Sequence, residues 1–236
     1  MPSKAAALAV EREGVCFRVL REIGEREAIL IGGYALSAYG HPRFSIDIDL
    51  VVAAETTPSL REDLKRLGFS PDRAWDPRGP FRFERWLLGR VSADLLIDGV
   101  FDRRSRAAFP YPDLRRTAGR RTVQALASAE SARPLVASRE ALLAMKLASG
   151  RFVDLRDVAI LAQGPLDWDE LEPLLARCPA AVLRANAALL ASSLETPRFR
   201  DSFKGVFRLG ERAYSGYPES AGALCRRIQD YASRTP

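Results

Sequence analysis

Two aspartates one residue apart, Asp47 and Asp49, lie in the alternating run SIDIDLVV, and thirteen residues separate Asp47 from a glycine pair, Gly32 and Gly33, that closes the apolar run AILI. In a strand, alternate side chains share a face, so the two acids point one way while Ile46, Ile48 and Leu50 point the other, toward a core. Carboxylates about 6.6 Å apart along a strand repel one another. An unpaired charge taken out of water also costs several kcal/mol. A cation between the acids removes both problems. Two Mg²⁺ ions, each about 2.0 to 2.1 Å from its oxygens and about 3.5 to 4 Å from the other, fit that geometry, and Mn²⁺ accepts the same oxygen ligands. Gly32 and Gly33, between a strand and a helix, let bare backbone approach a ligand, and exposed N–H groups at a helix start favour phosphate. A triphosphate held there brings its oxygens to metals on Asp47 and Asp49. A third acid is expected from a neighbouring strand, and SADLLID offers Asp94 between Ala93 and Leu95. Asp98 shares its face but precedes Gly99 and reads as a turn residue.

The elements that must position these residues are legible in outline. Residues 4–23 carry apolar side chains at helical spacing and predict an amphipathic helix ending near Gly24. EAILIGG is a short strand, YALSAYG two turns of helix ending at Gly40, SIDIDLVV a second strand, and SLREDLKRLGF a helix stopped at Gly68. The Pro, Asp and Gly residues between 70 and 80 predict a loop. FRFERWLL and VSADLLID follow as strands joined by a tight turn at Gly89-Arg90, and RTVQALA reads as one more. From about Ser138 the pattern is helical only: SREALLAMKLASG, RFVDLRDVAILAQ, DWDELEPLLARC and three further stretches. Strands first and helices later predict an α+β domain over 1–134 and a helical domain over 135–236.

Composition narrows the chemistry. The 236 residues are 47% hydrophobic and 28% charged, as in an ordinary globular protein. With one histidine, His41, a histidine-based metal site or a Ser-His-Asp triad is nearly excluded, and catalysis must rest on carboxylates. Cys16, Cys178 and Cys225 are odd in number and far apart, which predicts buried small side chains rather than disulfides or zinc. No apolar run reaches signal-peptide or membrane-span length, so a cytoplasmic protein without a membrane partner is expected. A net charge of +6 suits a polyanionic partner.

The order apolar-Gly-Gly, thirteen residues, Asp-apolar-Asp-apolar resembles the signature of the DNA polymerase β-type nucleotidyltransferase superfamily. Within it, GGYALSAYGHPRFSIDIDL is similar to the form GG-x-A…G…R-x-[ST]-x-D-I-D-L of the abortive-infection (AbiEii-like) nucleotidyltransferase toxins, with Ala35, Gly40, Arg43, Ser45, Asp47, Asp49 and Leu50 at its positions. Farther on, AMKLASGRFVDLRDVAIL is similar to that group's segment K-x-x-A…R…[KR]-D-x-x-x-L, with Lys146, Arg151, Arg156 and Asp157 as counterparts. The resemblance spans residues 30–161 in blocks. Those toxins often carry Gly-Ser in the first motif; here Gly33 supplies no hydroxyl.

The resemblance implies a nucleotidyltransferase-fold mixed sheet flanked by helices, with the helical domain completing the nucleotide site. It implies transfer of NMP from an NTP such as ATP to an acceptor hydroxyl on tRNA or another RNA, a protein or a small molecule, with Gly32, Gly33, Arg43, Ser45, Lys146 and Asp157 around the nucleotide. Asp47, Asp49 and Asp94 hold two Mg²⁺, and Asp94 accepts the hydroxyl proton. It also implies a toxin paired with an antitoxin protein. The alternative is a degenerate member of the fold that binds nucleotide or RNA without transfer. Bland readings stand beside the sharp ones. Lys146 either cradles the triphosphate or snorkels beside Leu143 and Leu147, and Asp157 either meets the nucleotide or pairs with Arg151 and Arg156 on a helix surface. In one unbroken helix Lys146 and Asp157 fall within about 20° of each other, unless Gly150 breaks it. Arg43 either contacts phosphate or shapes its loop. The seven arginines between 103 and 121, interleaved with Phe109 and Tyr111, suit either RNA or a solvated basic loop. Trp75, Trp86 and Trp168 read as packing residues and His41 as a loop residue.

Overall fold

A computed structural model describes residues 4–75 and 79–234. The chain opens with α1 (Lys4–Glu22), then β1 (Ile29–Ile31), α2 (Gly32–Ala35), β2 (Asp47–Val52), α3 (Thr57–Arg66), β3 (Ser70–Trp75), β4 (Arg82–Leu88) and β5 (Val91–Ile97). Short pieces follow: β6 (Gly99–Phe101), β7 (Ala108–Pro110), α4 (Tyr111–Thr117), β8 (Gly119–Arg120), β9 (Val123–Gln124), β10 (Ser131–Ala132) and β11 (Leu135–Val136). The rest is helical: α5 (Arg139–Ser149), α6 (Phe152–Leu161), α7 (Trp168–Leu175), α8 (Ala180–Leu194), α9 (Pro197–Phe207), α10 (Glu211–Tyr214) and α11 (Gly216–Arg234). The described chain divides into two compact units, residues 1–101 with 109–138, and residues 102–108 with 139–236.

In the first unit a seven-stranded mixed sheet runs in the order β3-β4-β5-β2-β1-β11-β8, with β2 parallel to β5 and antiparallel to β1. The alternation of β2 follows its sequence: Ile48 and Leu50 are buried on one face, and Val51 and Val52 close the strand inside the core. The helix α1 presents Cys16, Phe17, Val19 and Leu20 to that core. Its one buried acid, Glu13, accepts hydrogen bonds from the Leu126 and Ala127 amides at 2.9 and 2.7 Å, so the carboxylate replaces lost water with backbone donors. Residues 70–75 form β3 rather than the expected loop. They pair antiparallel with β4 through a register shift between Pro71 and Arg73. A proline within a strand marks an edge or a bulge, and β3 is the sheet's edge, so the turn-like composition there is that of an edge strand. RTVQALA contributes only the two residues of β9. The side chain of Trp75 lies outside the described residues; Trp86 is buried, and Trp168 is part-exposed with the Arg227 guanidinium 3.6 Å from its ring centre.

The second unit is helical apart from its short 102–108 segment. Its core gathers Phe199, Phe203 and Phe207 of α9 with Phe152, Tyr214 and Tyr217, ring centroids 5.1 to 6.0 Å apart. Four helices, not three, follow α7, because a single turn, α10, separates α9 from α11. The 139–161 stretch is not one helix. It breaks at Gly150, whose φ of +60° few other residues adopt, and whose amide closes the last turn onto the Lys146 carbonyl at 3.0 Å.

Candidate active site

The acids are assembled by strand register. The pairing of β2 with β5 sets Asp49 level with Asp94 and Asp47 level with Ser92, and the pairing of β1 with β2 sets Ile31 opposite Asp49. Asp47, Asp49 and Asp94 therefore share one face and one end of the sheet. Ser92 Oγ donates to Asp47 Oδ1 at 2.6 Å. Asp94 is only 4% exposed, whereas Asp47 and Asp49 are half-buried.

The glycines close the same corner. Gly32 has φ +70°, and a Cβ there would land 1.9 Å from Asp49 Oδ2, so only glycine lets the backbone lie against that carboxylate. At Gly33 a Cβ would meet Ser45 Oγ at 2.9 Å and Arg43 Nη1 at 3.0 Å. The place a side chain would take is thus bordered by a hydroxyl and a guanidinium from the loop before β2, so a serine at 33 requires those side chains to shift. Tyr34 fixes that loop by donating to the Ser45 carbonyl at 2.5 Å, and Ser45 Oγ donates to the Asp47 carbonyl at 3.3 Å. Gly32, Gly33, Arg43, Ser45, Asp47, Asp49 and Asp94 are brought together within the first unit. The helical turn begins at Gly32 itself, two residues before Tyr34.

Arg85 is the member that the sequence reading missed. On β4 it lies opposite Asp94, with Nε 2.8 Å from Oδ1 and Nη2 2.6 Å from Oδ2. The hydrogen bonds to Asp94 push the guanidinium above its ordinary value, against the opposing effect of burial, and Asp47 and Asp49 add smaller contributions. The signal was available. A two-residue turn at Gly89-Arg90 pairs Leu88 with Val91, and counting back three residues on each strand sets Arg85 against Asp94.

In the second unit, Lys146 is neither a surface lysine nor on one helix with Asp157. The break at Gly150 folds α6 back along α5, and Lys146 Nζ lies 2.5 Å from Asp157 Oδ2 and 3.3 Å from Asp154 Oδ1, with all three side chains buried. Asp154, absent from the sequence reading, also accepts from Ser149 Oγ at 2.8 Å and Arg151 Nε at 2.5 Å. Its spacing of three from Asp157 on one helix face was the available clue. Arg156 turns away, donating to Ser202 Oγ at 2.7 Å. Burial pushes the Asp154 carboxyl up, but Lys146, Arg151 and Ser149 outweigh it and hold it below the usual 3.8.

The arginine-rich segment is partly structural. Arg115 pairs with Glu27, Arg120 donates to the Gly24 carbonyl, and Arg121 lies 5.0 Å from the Tyr39 ring centre. Phe109 is core and Tyr111 donates to the Glu27 carbonyl at 2.8 Å, so Phe109 presents no surface for a base. All three cysteines are buried free thiols, and burial raises Cys16 and Cys225 to about 11 and Cys178 to about 12, which leaves none poised as a nucleophile.

A mixed sheet flanked by helices, with paired acids level with a third and a glycine junction beside them, is the nucleotidyltransferase fold. The solved structure of the antibiotic-resistance factor ANT(2'')-Ia shares it, with a TM-score of 0.51 and 16% identity, over 77% of this chain and 96% of that one. The profile described as nucleotidyl transferase AbiEii toxin, type IV TA system, matches residues 17–208. This chain belongs to that AbiEii nucleotidyltransferase family and is a nucleotidyltransferase. The match begins before the first motif and runs through α9, well beyond the 30–161 span legible from the motifs. No curated protein sequence matches the chain.

Among the described residues, no group of three or more His, Cys, Asp or Glu side chains is placed to hold a metal ion. Asp47 and Asp49 nonetheless suit a divalent ion as half-exposed oxygen donors on one face, whereas both oxygens of Asp94 are turned to Arg85.

Three outcomes follow. Gly32→Ala forces an alanine to φ +70° and drives Asp49 aside; the variant is expected to lose about 1–3 kcal/mol of stability in urea titration and nearly all nucleotidyl transfer. Lys146→Met removes the cation shared by two buried carboxylates, leaving Asp154 to Ser149 and Arg151, and should cost roughly 3–5 kcal/mol in the same measurement. For the wild type, a carboxyl held below its unfolded value stabilises the fold above that value. Stability should therefore fall as pH drops below about 4 and through the depressed value of Asp154, and this acid loss should be blunted in Lys146→Met.

Proposed function

We propose that the protein transfers a nucleoside monophosphate from an NTP to an acceptor hydroxyl with the help of divalent metal, and that it acts as a toxin. The observation that carries this reading is the level pairing of Asp49 with Asp94 beside Asp47, with Gly32 in a left-handed conformation against the Asp49 carboxylate. Bound Mg²⁺ at Asp47 and Asp49 would neutralise phosphate charge and stabilise the attacking and leaving oxygens. The remaining work is done by the chain. The Gly32-Gly33 backbone offers close approach to the triphosphate, and Arg43 and Ser45, packed against Gly33, supply donors to it. Asp94, as third acid, takes the proton of the attacking hydroxyl as the oxygen bonds to the α-phosphorus and pyrophosphate leaves.

An RNA acceptor, tRNA first, is supported by the net charge of +6 and by the exposed Arg103, Arg104, Arg106 and Arg116. The triphosphate pool and the three free thiols support a cytoplasmic setting. Among the described residues, no single helix is long and apolar enough to cross a membrane.

Purified protein incubated with each α-labelled NTP, Mg²⁺ and total tRNA should label the RNA. Asp47→Asn should lose at least about a hundredfold in rate, the scale set by removing a charge-stabilising group from a site of this kind. Expression of the wild type should arrest growth, and expression of Asp47→Asn should not. Triphosphate binding without transfer to RNA, protein or aminoglycoside would instead support the degenerate binding module.

A further inference from the structure

The pair formed by Arg85 and Asp94 places a cation of the chain's own on the third acid. Both carboxylate oxygens are engaged at 2.8 and 2.6 Å in a fork-to-fork arrangement, among the strongest pairings that side chains make. The two partners differ in mobility. The Asp94 side chain is buried in a central strand, whereas that of Arg85 is 42% exposed on β4. The ring of Phe83, two residues back on the same strand face, has its centre 5.9 Å from the guanidinium carbon. The arginine can therefore leave Asp94 for solvent or for an aromatic surface already beside it, while Asp94 has nowhere to go.

A second cation at Asp94 conflicts with the first. Each carboxylate oxygen has lone pairs to spare, so the conflict is one of charge: a divalent ion and a guanidinium on one carboxylate repel at short range in a poorly solvated corner. We propose that Arg85 is a latch on the third acid, holding Asp94 away from metal until a divalent ion displaces it, and so setting how tightly the site binds metal. The proposal rests on the metal-dependent reading above. Arg85 acts here as a positioning residue: it keeps the buried Asp94 compensated and correctly turned while metal is absent, and metal loading is coupled to its release.

The test is Mn²⁺ binding to the full-length protein, followed by loss of the free-ion signal in electron paramagnetic resonance. The proteins compared are wild type, Arg85→Gln, Arg85→Lys, Asp94→Asn, the Arg85→Gln/Asp94→Asn double variant and Asp47→Asn. Arg85→Gln should bind Mn²⁺ about tenfold more tightly, the effect of losing one charge-assisted interaction, and the double variant should lose that gain. Arg85→Lys keeps the charge but not the fork, and about a threefold gain is expected from it; if Arg85→Gln fails to fold, this variant decides. An affinity in the arginine variants equal to or weaker than wild type, or a gain that survives Asp94→Asn, overturns the latch. If Mn²⁺ binds the wild type and is lost in Asp47→Asn while the arginine variants gain nothing, the latch alone falls. If Mn²⁺ binds none of the proteins, the latch and the metal-dependent reading fall together.

Discussion

Like charges gathered on one face of a sheet need compensation, and the first unit is organised around that need. Asp47 and Asp49 alternate on β2, and the parallel register with β5 brings Asp94 level with Asp49. Without partners, three carboxylates this close would oppose folding. Ser92 supplies a donor to Asp47, Arg85 a fork to Asp94, and Gly32 makes room for Asp49. The charge left on Asp47 and Asp49 is part-exposed, and in the proposed function it is what would draw cations and, through them, phosphate. An enzyme that works by positioning and charge neutralisation needs these features before any proton moves.

The second unit solves a related problem differently. Lys146 is buried between Asp154 and Asp157, and the turn at Gly150 exists to bring them together. Buried ion pairs are weak as stabilisers but costly to break, so the cluster fixes where α6 lies along α5.

Much of this was legible in the residues, and the parts that were not have physical reasons. The alternation of SIDIDLVV put Asp47 and Asp49 on one face because a strand has a period of two, and the apolar flanks of Asp94 marked it as an inner-strand acid. The strand β3 was missed because Pro71 and Asp72 are turn-forming residues that an edge strand with a bulge also tolerates. The pairing of Arg85 required the register of a hairpin, which follows from the Gly89-Arg90 turn only once both strands are accepted as paired. Asp154 was hidden because the family resemblance named Asp157, and the chain reverses between these acids and Lys146. Phe109, interleaved with arginines in a segment that suited either RNA or a solvated basic loop, went to the core as the inward side chain of a short strand.

The central claim is that Asp47 and Asp49 hold nucleotide through a divalent ion. Calorimetric binding of a non-hydrolysable triphosphate to the full-length protein, with Mg²⁺ and with chelator, tests it directly. The account predicts binding at least about tenfold tighter with Mg²⁺, and a gain that disappears in Asp49→Asn. Equal affinity in chelator, or a Mg²⁺ gain that persists in Asp49→Asn, would contradict it.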